Sequence, residues 1–250
     1  MSVSEIFDLN SHIYATAVNE RFYACIATAL AEKVVNRITP RRILETGSGT
    51  GAATVVLSRC FPKAEILATD PSEKMLSHNQ EKRFQNVCFL RASVEEIDGF
   101  SGGDFDLIFG NVCYHWFPLG TAARLIPLLA PGGTMAFSVP VSGPEREAGN
   151  KVLLQICRRL GVRGRQGTSL LSTNRLRREF AAFQRCTIER MALRETHPPA
   201  LFGALLRARG SWAFLFGPRA PHAESLWRKL TAGRDTVTLC WNIALVVAQK

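Results

Sequence analysis

An apolar run ending in an acid, Arg42-Ile43-Leu44-Glu45-Thr46, passes directly into Gly47-Ser48-Gly49-Thr50-Gly51. A second apolar run, Ile66-Leu67-Ala68-Thr69, ends in Asp70, 19 residues after Gly51. This layout predicts a strand, a tight turn, a helix and a second parallel strand that grip a nucleoside. Alternating glycines admit positive φ and close approach of backbone to a ligand. The amides opening the next helix face that ligand. Asp70, at the C-terminal end of the second strand, is placed to accept hydrogen bonds from ribose hydroxyls. Gly47, Gly49 and Ala52 also satisfy the dinucleotide pattern G-x-G-x-x-G/A, which keeps a nicotinamide cofactor open. Glu45, two residues before the first glycine, and the third alternating glycine, Gly51, argue against it.

The alternation continues. A helix is expected over 50–60, a strand over 65–69, and a helix over 72–82 with Pro71 near its start. Next come a strand over 87–90, a helical turn over 94–97, and an apolar strand over 105–109 that ends at Gly110-Asn111. A helix over 120–129 stops before Pro131-Gly132-Gly133, a turn that feeds a strand over 134–139. The pattern from 42 to 139 predicts a doubly wound parallel α/β sheet. Upstream, 5–36 reads as two short helices with Asn10-Ser11 between them. Downstream, helices are expected over 146–160 and 173–183 (Thr173 or Asn174 as cap) and a strand over 187–193. An aromatic stretch over 200–216 and a last strand over 239–248 complete the chain. In such folds ligands bind outside the carboxyl ends of the strands. Glu45, Asp70, Ser93, Asn111 and the 138–142 segment all follow strand ends.

At 250 residues and 46% hydrophobic composition, a single domain with a sizeable core is expected. The N-terminus lacks the pattern of a secretory signal, and no apolar stretch is long enough for a membrane span. The seven cysteines are widely spaced with no C-x-x-C pair. Small buried apolar residues in a reducing cytoplasm are expected, and neither a disulfide framework nor a metal site. Charge is uneven: residues 1–150 hold 13 basic and 16 acidic side chains, residues 151–250 hold 18 and 5. Residues 158–178 contain seven arginines and no acid. That stretch is either a solvated face or a docking surface for an anionic partner.

The run E-x-G-x-G-x-G at Glu45–Gly51 resembles motif I of class I S-adenosylmethionine-dependent methyltransferases. Leu90-Arg91-Ala92-Ser93-Val94-Glu95 is similar to that family's adenine-holding segment, with Ser93 where an Asp usually stands. Phe105-Asp106-Leu107-Ile108 and Pro131-Gly132-Gly133 resemble its fourth strand and the turn before its fifth. Phe7 with Tyr14, and Asn111-Val112-Cys113-Tyr114-His115-Trp116, look like features of the malonyl-acyl carrier protein O-methyltransferases of biotin synthesis; residues 143–190 depart from that pattern. The resemblance implies a Rossmann-like, mostly parallel seven-stranded sheet with N-terminal helices and a helical lid insertion. It implies one methyltransferase domain: an N-terminal helical cap (1–38), a cofactor-binding core (39–142), a lid and substrate region (143–235) and a final strand (236–250). It implies S-adenosyl-L-methionine held by Glu45, Gly47, Gly49, Gly51, Asp70, Pro71, Ser93, Val94 and Asn111. It places the acceptor near Trp116, Arg146, Arg175, Arg177 and Arg178, with Tyr14 and His115 as catalytic candidates.

Methyl transfer from a sulfonium is an in-line displacement that needs alignment and exclusion of water. A carboxylate acceptor is already ionised near pH 7, whereas a phenol or ammonium needs a base. Candidate proton-transfer groups are His115, Tyr14 and His12. His115 is a base or a packed ring; Tyr14 covers the cofactor, orients substrate or is core. An anionic acceptor calls for a cation, with Arg146 a candidate. The basic stretch suits an acidic acyl carrier protein. It suits RNA less, since it lacks the interleaved aromatics that stack on single strands. The aromatics over 202–216 line a lid or pack a core. Alternatives from the same residues are a methyltransferase of another small molecule or of RNA, a non-catalytic cofactor-binding partner subunit, and a nicotinamide-dependent dehydrogenase.

Overall fold

The computed structural model describes residues 3–97, 104–143, 146–162 and 171–250. Seven strands form one sheet: β1 (Arg42–Thr46), β2 (Glu65–Asp70), β3 (Val87–Arg91), β4 (Phe105–Asn111), β5 (Leu129–Pro140), β6 (Arg185–His197) and β7 (Val237–Gln249). Their order is β3-β2-β1-β4-β5-β7-β6. Strands β1 to β5 are parallel, and β7 runs antiparallel between β5 and β6. The order reverses beside β1, so the ends of β1 and β4 form the crevice where such sheets bind ligands.

Eleven helices lie among the described residues. Before the sheet come α1 (Val3–Tyr14) and α2 (Ala17–Ala31). Between strands lie α3 (Ala52–Cys60), α4 (Glu73–Gln80), α5 (Val94–Ile97) and α6 (Thr121–Leu125), then α7 (Ala148–Arg159) and α8 (Thr173–Glu179). The β6–β7 connection carries α9 (Pro199–Ala208), α10 (Ser211–Phe216) and α11 (Ala220–Leu230). Strand β1 is buried from Ile43 to Thr46, as befits a strand covered on both faces. One core joins the sheet to α6 and α8 through Phe137, Leu125, Leu176 and Phe180. Another joins it to α2 and α3 through Ile26, Leu30 and Leu57. A third lies among α7, α9, α10 and α11 around Trp212 and Trp227.

Several expectations are corrected. Helix α1 runs through Asn10-Ser11, because both side chains bond back to their own helix: Asn10 Nδ2 donates to Ile6 O (2.7 Å) and Ser11 Oγ to Asp8 O (3.2 Å). The break falls instead at Ala15-Thr16. Pro131-Gly132-Gly133 lies within β5, at a register shift against β4, with Gly132 at φ 73°. The cap of α8 is Ser172, whose Oγ accepts from the Arg175 amide, and that helix ends at Glu179. Helix α11 carried no expectation: it opens on Ala220-Pro221-His222, and its buried side is only Ala223 and Trp227. Of the seven cysteines, Cys113 and Cys240 are buried, while Cys25, Cys88 and Cys186 are exposed. Among the described residues no helix is long and apolar enough to cross a membrane.

Candidate active site

The three glycines of the β1–α3 turn all adopt positive φ, each for its own reason. At Gly47 a Cβ would sit 2.7 Å from Cβ of Cys113, so the absent side chain lets the β4 exit press against the turn. Cys113 Sγ then lies 3.1 Å from Thr46 O. At Gly51, φ 92°, a Cβ would meet Asn79 Oδ1 at 2.0 Å. At Gly49, φ 55°, nothing lies within 4 Å of the position a Cβ would take. Gly47 and Gly51 therefore serve packing, and Gly49 faces the crevice.

Beneath the turn a chain of hydrogen bonds links three elements. Asn79 Nδ2 donates to Thr54 Oγ1 (2.8 Å), which donates to Glu45 Oε2 (2.7 Å). Burial pushes the Glu45 carboxyl up to about 8, so it holds its proton at neutral pH. Glu45 Oε1, Ser48 Oγ and Asn79 Oδ1 are buried without a partner. Buried polar atoms of this kind cost about 1–3 kcal/mol each unless a ligand or water satisfies them. Together with the clear space at Gly49, they fit a polar nucleoside cofactor.

Asp70 stands across from this turn. Its Oδ2 accepts the Gly49 amide and its Oδ1 the Ser72 amide, both at 2.9 Å. Burial raises its carboxyl to about 6 against those two amides. Each carboxylate oxygen retains acceptor capacity for a ribose hydroxyl. After Pro71, Ser72 caps α4 by accepting from the Met75 amide, and donates to Asp8 of α1 (2.5 Å). At the β3 end, Ser93 is drawn into a local cap: its amide donates to Glu96 Oε2 (2.6 Å). Val94 is buried beside it.

The β4 exit is the most constrained backbone of the site. Val112, a β-branched residue, sits at φ 55°. It is held there by its amide bonding to Ser138 O and Oγ (3.0 and 2.9 Å) and by Ser138 Oγ donating to Asn111 Oδ1 (2.7 Å). Asn111 Nδ2 donates to Tyr23 O (3.0 Å), tying α2 to the strand end. Asn111 thus positions the exit.

An aromatic wall closes over this point. Trp116 lies 5.7 Å from Phe7 of α1 and 4.1 Å from Phe214 of α10, ring centre to ring centre. His115 lies 4.4 Å from Trp116. Its Nδ1 is buried without a partner, and burial draws the imidazole down to about 3. Tyr14 meets Phe7 edge-on (5.8 Å) and stacks on Tyr23 (4.9 Å). Burial holds its phenol well above the usual value. His12 is exposed on α1. Of the aromatics over 202–216, Phe202, Trp212 and Phe216 are core, and Phe214 alone joins the wall among the described contacts.

Beside Tyr14 and Tyr23 lies a buried network without a signal in the sequence. Arg209, after α9, donates to both Glu195 oxygens (2.6 and 3.0 Å) and to Asn19 Oδ1 (2.8 Å). Its guanidinium lies 4.0 Å from the Phe22 ring, and Trp241 Nε1 donates to Glu195 (2.7 Å). Nothing local separates Arg209 from its neighbour Arg207, which is half exposed in an ion pair with Glu224.

The cations are farther out. Arg146 is exposed just before α7. Arg177 and Arg178 are exposed on α8, and Arg175 pairs loosely with Glu179 (3.7 Å). Glu179 Oε2 accepts from Tyr114 Oη (3.2 Å) and from the Gly120 amide (2.8 Å), docking the basic helix on the β4 exit. Arg163 and Arg165 lie outside the described residues.

Residues 43–133 match the family model described as a methyltransferase domain. A trans-aconitate 2-methyltransferase from Deinococcus radiodurans is 33% identical over 103 residues, 40% of this chain and 38% of the relative. A malonyl-[acyl-carrier protein] O-methyltransferase from a Paenibacillus species is 33% identical over 163 residues, 60% of this chain and 58% of the relative. The chain spans about half the length of the curated relatives it matches. The YcgJ protein of Bacillus subtilis aligns with a TM-score of 0.61 at 17% identity, over 90% of this chain and 97% of that one. The Haemonchus contortus phosphoethanolamine N-methyltransferase 2, solved with S-adenosyl-L-methionine, aligns at 0.58 and 18% identity, over 98% and 60%. Over residues 43–133 this chain matches a methyltransferase domain, set in a seven-stranded sheet whose fold it shares with S-adenosylmethionine-binding methyltransferases.

Proposed function

We propose that this protein moves the methyl group of S-adenosylmethionine onto a free carboxylate, borne by a small polycarboxylic acid or by a malonyl group on an acidic carrier protein. The observation that carries the reading is the proton chemistry of the wall. Tyr14 is held protonated by burial, and His115 is neutral and a weak base. Asp70 has both oxygens on backbone amides. A site so furnished orients an acceptor but does not deprotonate one, and a carboxylate needs no base. The two relatives are named for trans-aconitate and for a malonyl group, which share that chemistry.

When bound, S-adenosylmethionine would supply an electrophilic methyl group for a carboxylate oxygen, with S-adenosylhomocysteine as the leaving group. The Gly47–Gly51 turn admits the nucleoside against bare backbone at Gly49, and Asp70 accepts from the ribose. Val94 walls the adenine side. Phe7, Trp116 and Phe214 exclude water from the transfer point. The arginines of α8 complement an acidic carrier, and seven cysteines, none in a disulfide, suit a reducing cytoplasm.

The test is incubation of the protein with methyl-labelled S-adenosylmethionine and, separately, trans-aconitate, malonyl-carrier protein and RNA. Base-labile label on an acid is expected. Label on RNA alone, or cofactor binding with no transfer to any acid, overturns the reading.

A further inference from the structure

We propose that His115 is the side chain that recognises the acceptor carboxylate, donating a hydrogen bond from Nδ1 to the carboxylate oxygen that does not attack. The inference rests on the carboxylate reading above and names the contact within it. His115 occupies the tight turn Tyr114–Trp116 that follows β4, at the switch point of the sheet. Two residues before it, Cys113 presses on Gly47 of the cofactor turn, and the His115 ring lies 4.4 Å from that of Trp116. Trp116, Phe7 and Phe214 form an apolar wall.

Within that wall Nδ1 is buried and unpartnered. Were His115 only a packing ring, the stranded nitrogen would be a standing cost that a Phe avoids. A buried ring nitrogen with no partner, two residues past the Cys113 contact with the cofactor turn, has its hydrogen bond left for a ligand. No ionic partner is among the causes that keep the ring neutral; burial alone does so. A neutral imidazole carries one N–H, and a carboxylate offers only acceptors, so the two match without a second buried charge. The same donor discriminates against an amide or ester, whose weaker acceptors repay less of the cost of burial. The methyl ester product therefore binds less well than the acid and leaves.

The measurement is steady-state methyl transfer to trans-aconitate or malonyl-carrier protein, whichever the protein accepts, with S-adenosylhomocysteine affinity measured alongside. His115→Phe is expected to raise the acceptor KM at least tenfold while leaving S-adenosylhomocysteine affinity within twofold. His115→Asn, whose amide nitrogen stands near the place of Nδ1, is expected to recover most of the loss. In the wild type, the ¹⁵N resonance of His115 Nδ1 shifts when the acid is added to the S-adenosylhomocysteine complex; this readout decides the matter even if the Phe variant does not fold. An unchanged KM in His115→Phe, or an unmoved Nδ1 resonance with transfer intact, overturns the role of His115 alone. Failure of the wild type to methylate any acid overturns the carboxylate reading and this contact together.

Discussion

The carboxylate of Asp70 accepts the amide of Gly49 at 2.9 Å, so the acid we propose for the ribose also holds the one glycine of the turn with open space at its Cβ position. Asp70→Ala removes both functions. Cofactor affinity is expected to fall at least tenfold, since hydrogen bonds to a charged group contribute about 1.5–3 kcal/mol. Calorimetric titration with S-adenosylhomocysteine checks this; an unchanged affinity refutes the ribose role.

The alternating glycines separate experimentally. Gly49→Ala places its methyl in open space and bears only the backbone strain of φ 55°, on the order of 1–2 kcal/mol. It is expected to fold and to lose cofactor affinity through the intruding methyl. Gly51→Ala drives a methyl into the Asn79 amide and is expected to lower thermal stability markedly more. Melting curves of the two cofactor-free variants decide.

Glu45 makes stability depend on pH. Between the ordinary glutamate range and about 8, the folded chain keeps a proton that the unfolded chain has released. Stability therefore falls as pH rises through that window, and the raised value of Asp70 acts in the same direction up to about 6. Glu45→Gln keeps the shape without the titration. Its melting temperature is expected to decline less than that of the wild type between pH 5 and pH 8 on this linkage argument, which a pH series of melting curves measures.

Arg209→Met leaves the Glu195 carboxylate buried without its cation, a change that costs about 3–5 kcal/mol where a pair is this enclosed. Arg209→Lys is expected to lose much of that as well, since an ammonium cannot bridge both Glu195 oxygens and Asn19 together. Denaturant titration of the two variants is the check.

Replacing Arg175, Arg177 and Arg178 together by Glu is expected to raise KM for a carrier-borne acceptor and to leave that for a small acid nearly unchanged. The carrier effect should shrink at high salt, because exposed charges are screened. Equal effects on both acceptors sink the docking role of α8.

The sheet from β1 to β4 was legible because its signals are local. Apolar runs of strand length, a helix opening at Glu73 behind Ser72, and Val94–Ile97 as a single turn follow from patterns a few residues wide. Boundaries slipped where tertiary bonds extend an element, as when Asn111 joins β4 through Ser138. Local polarity misled where a side chain bonds back to its own helix, as at Asn10 and Ser11.

By itself the amino-acid order determined the nucleoside turn and the acid of β2, since backbone freedom and hydropathy alternation act within a few residues. Only the tertiary structure decided which glycine faces the crevice, because Cys113 and Asn79 reach Gly47 and Gly51 from distant elements. It also made His115 neutral and paired Arg209 with an Asn 190 residues away. Burial and long-range pairing set the chemistry of a side chain, and neither is a property of its neighbours in the chain.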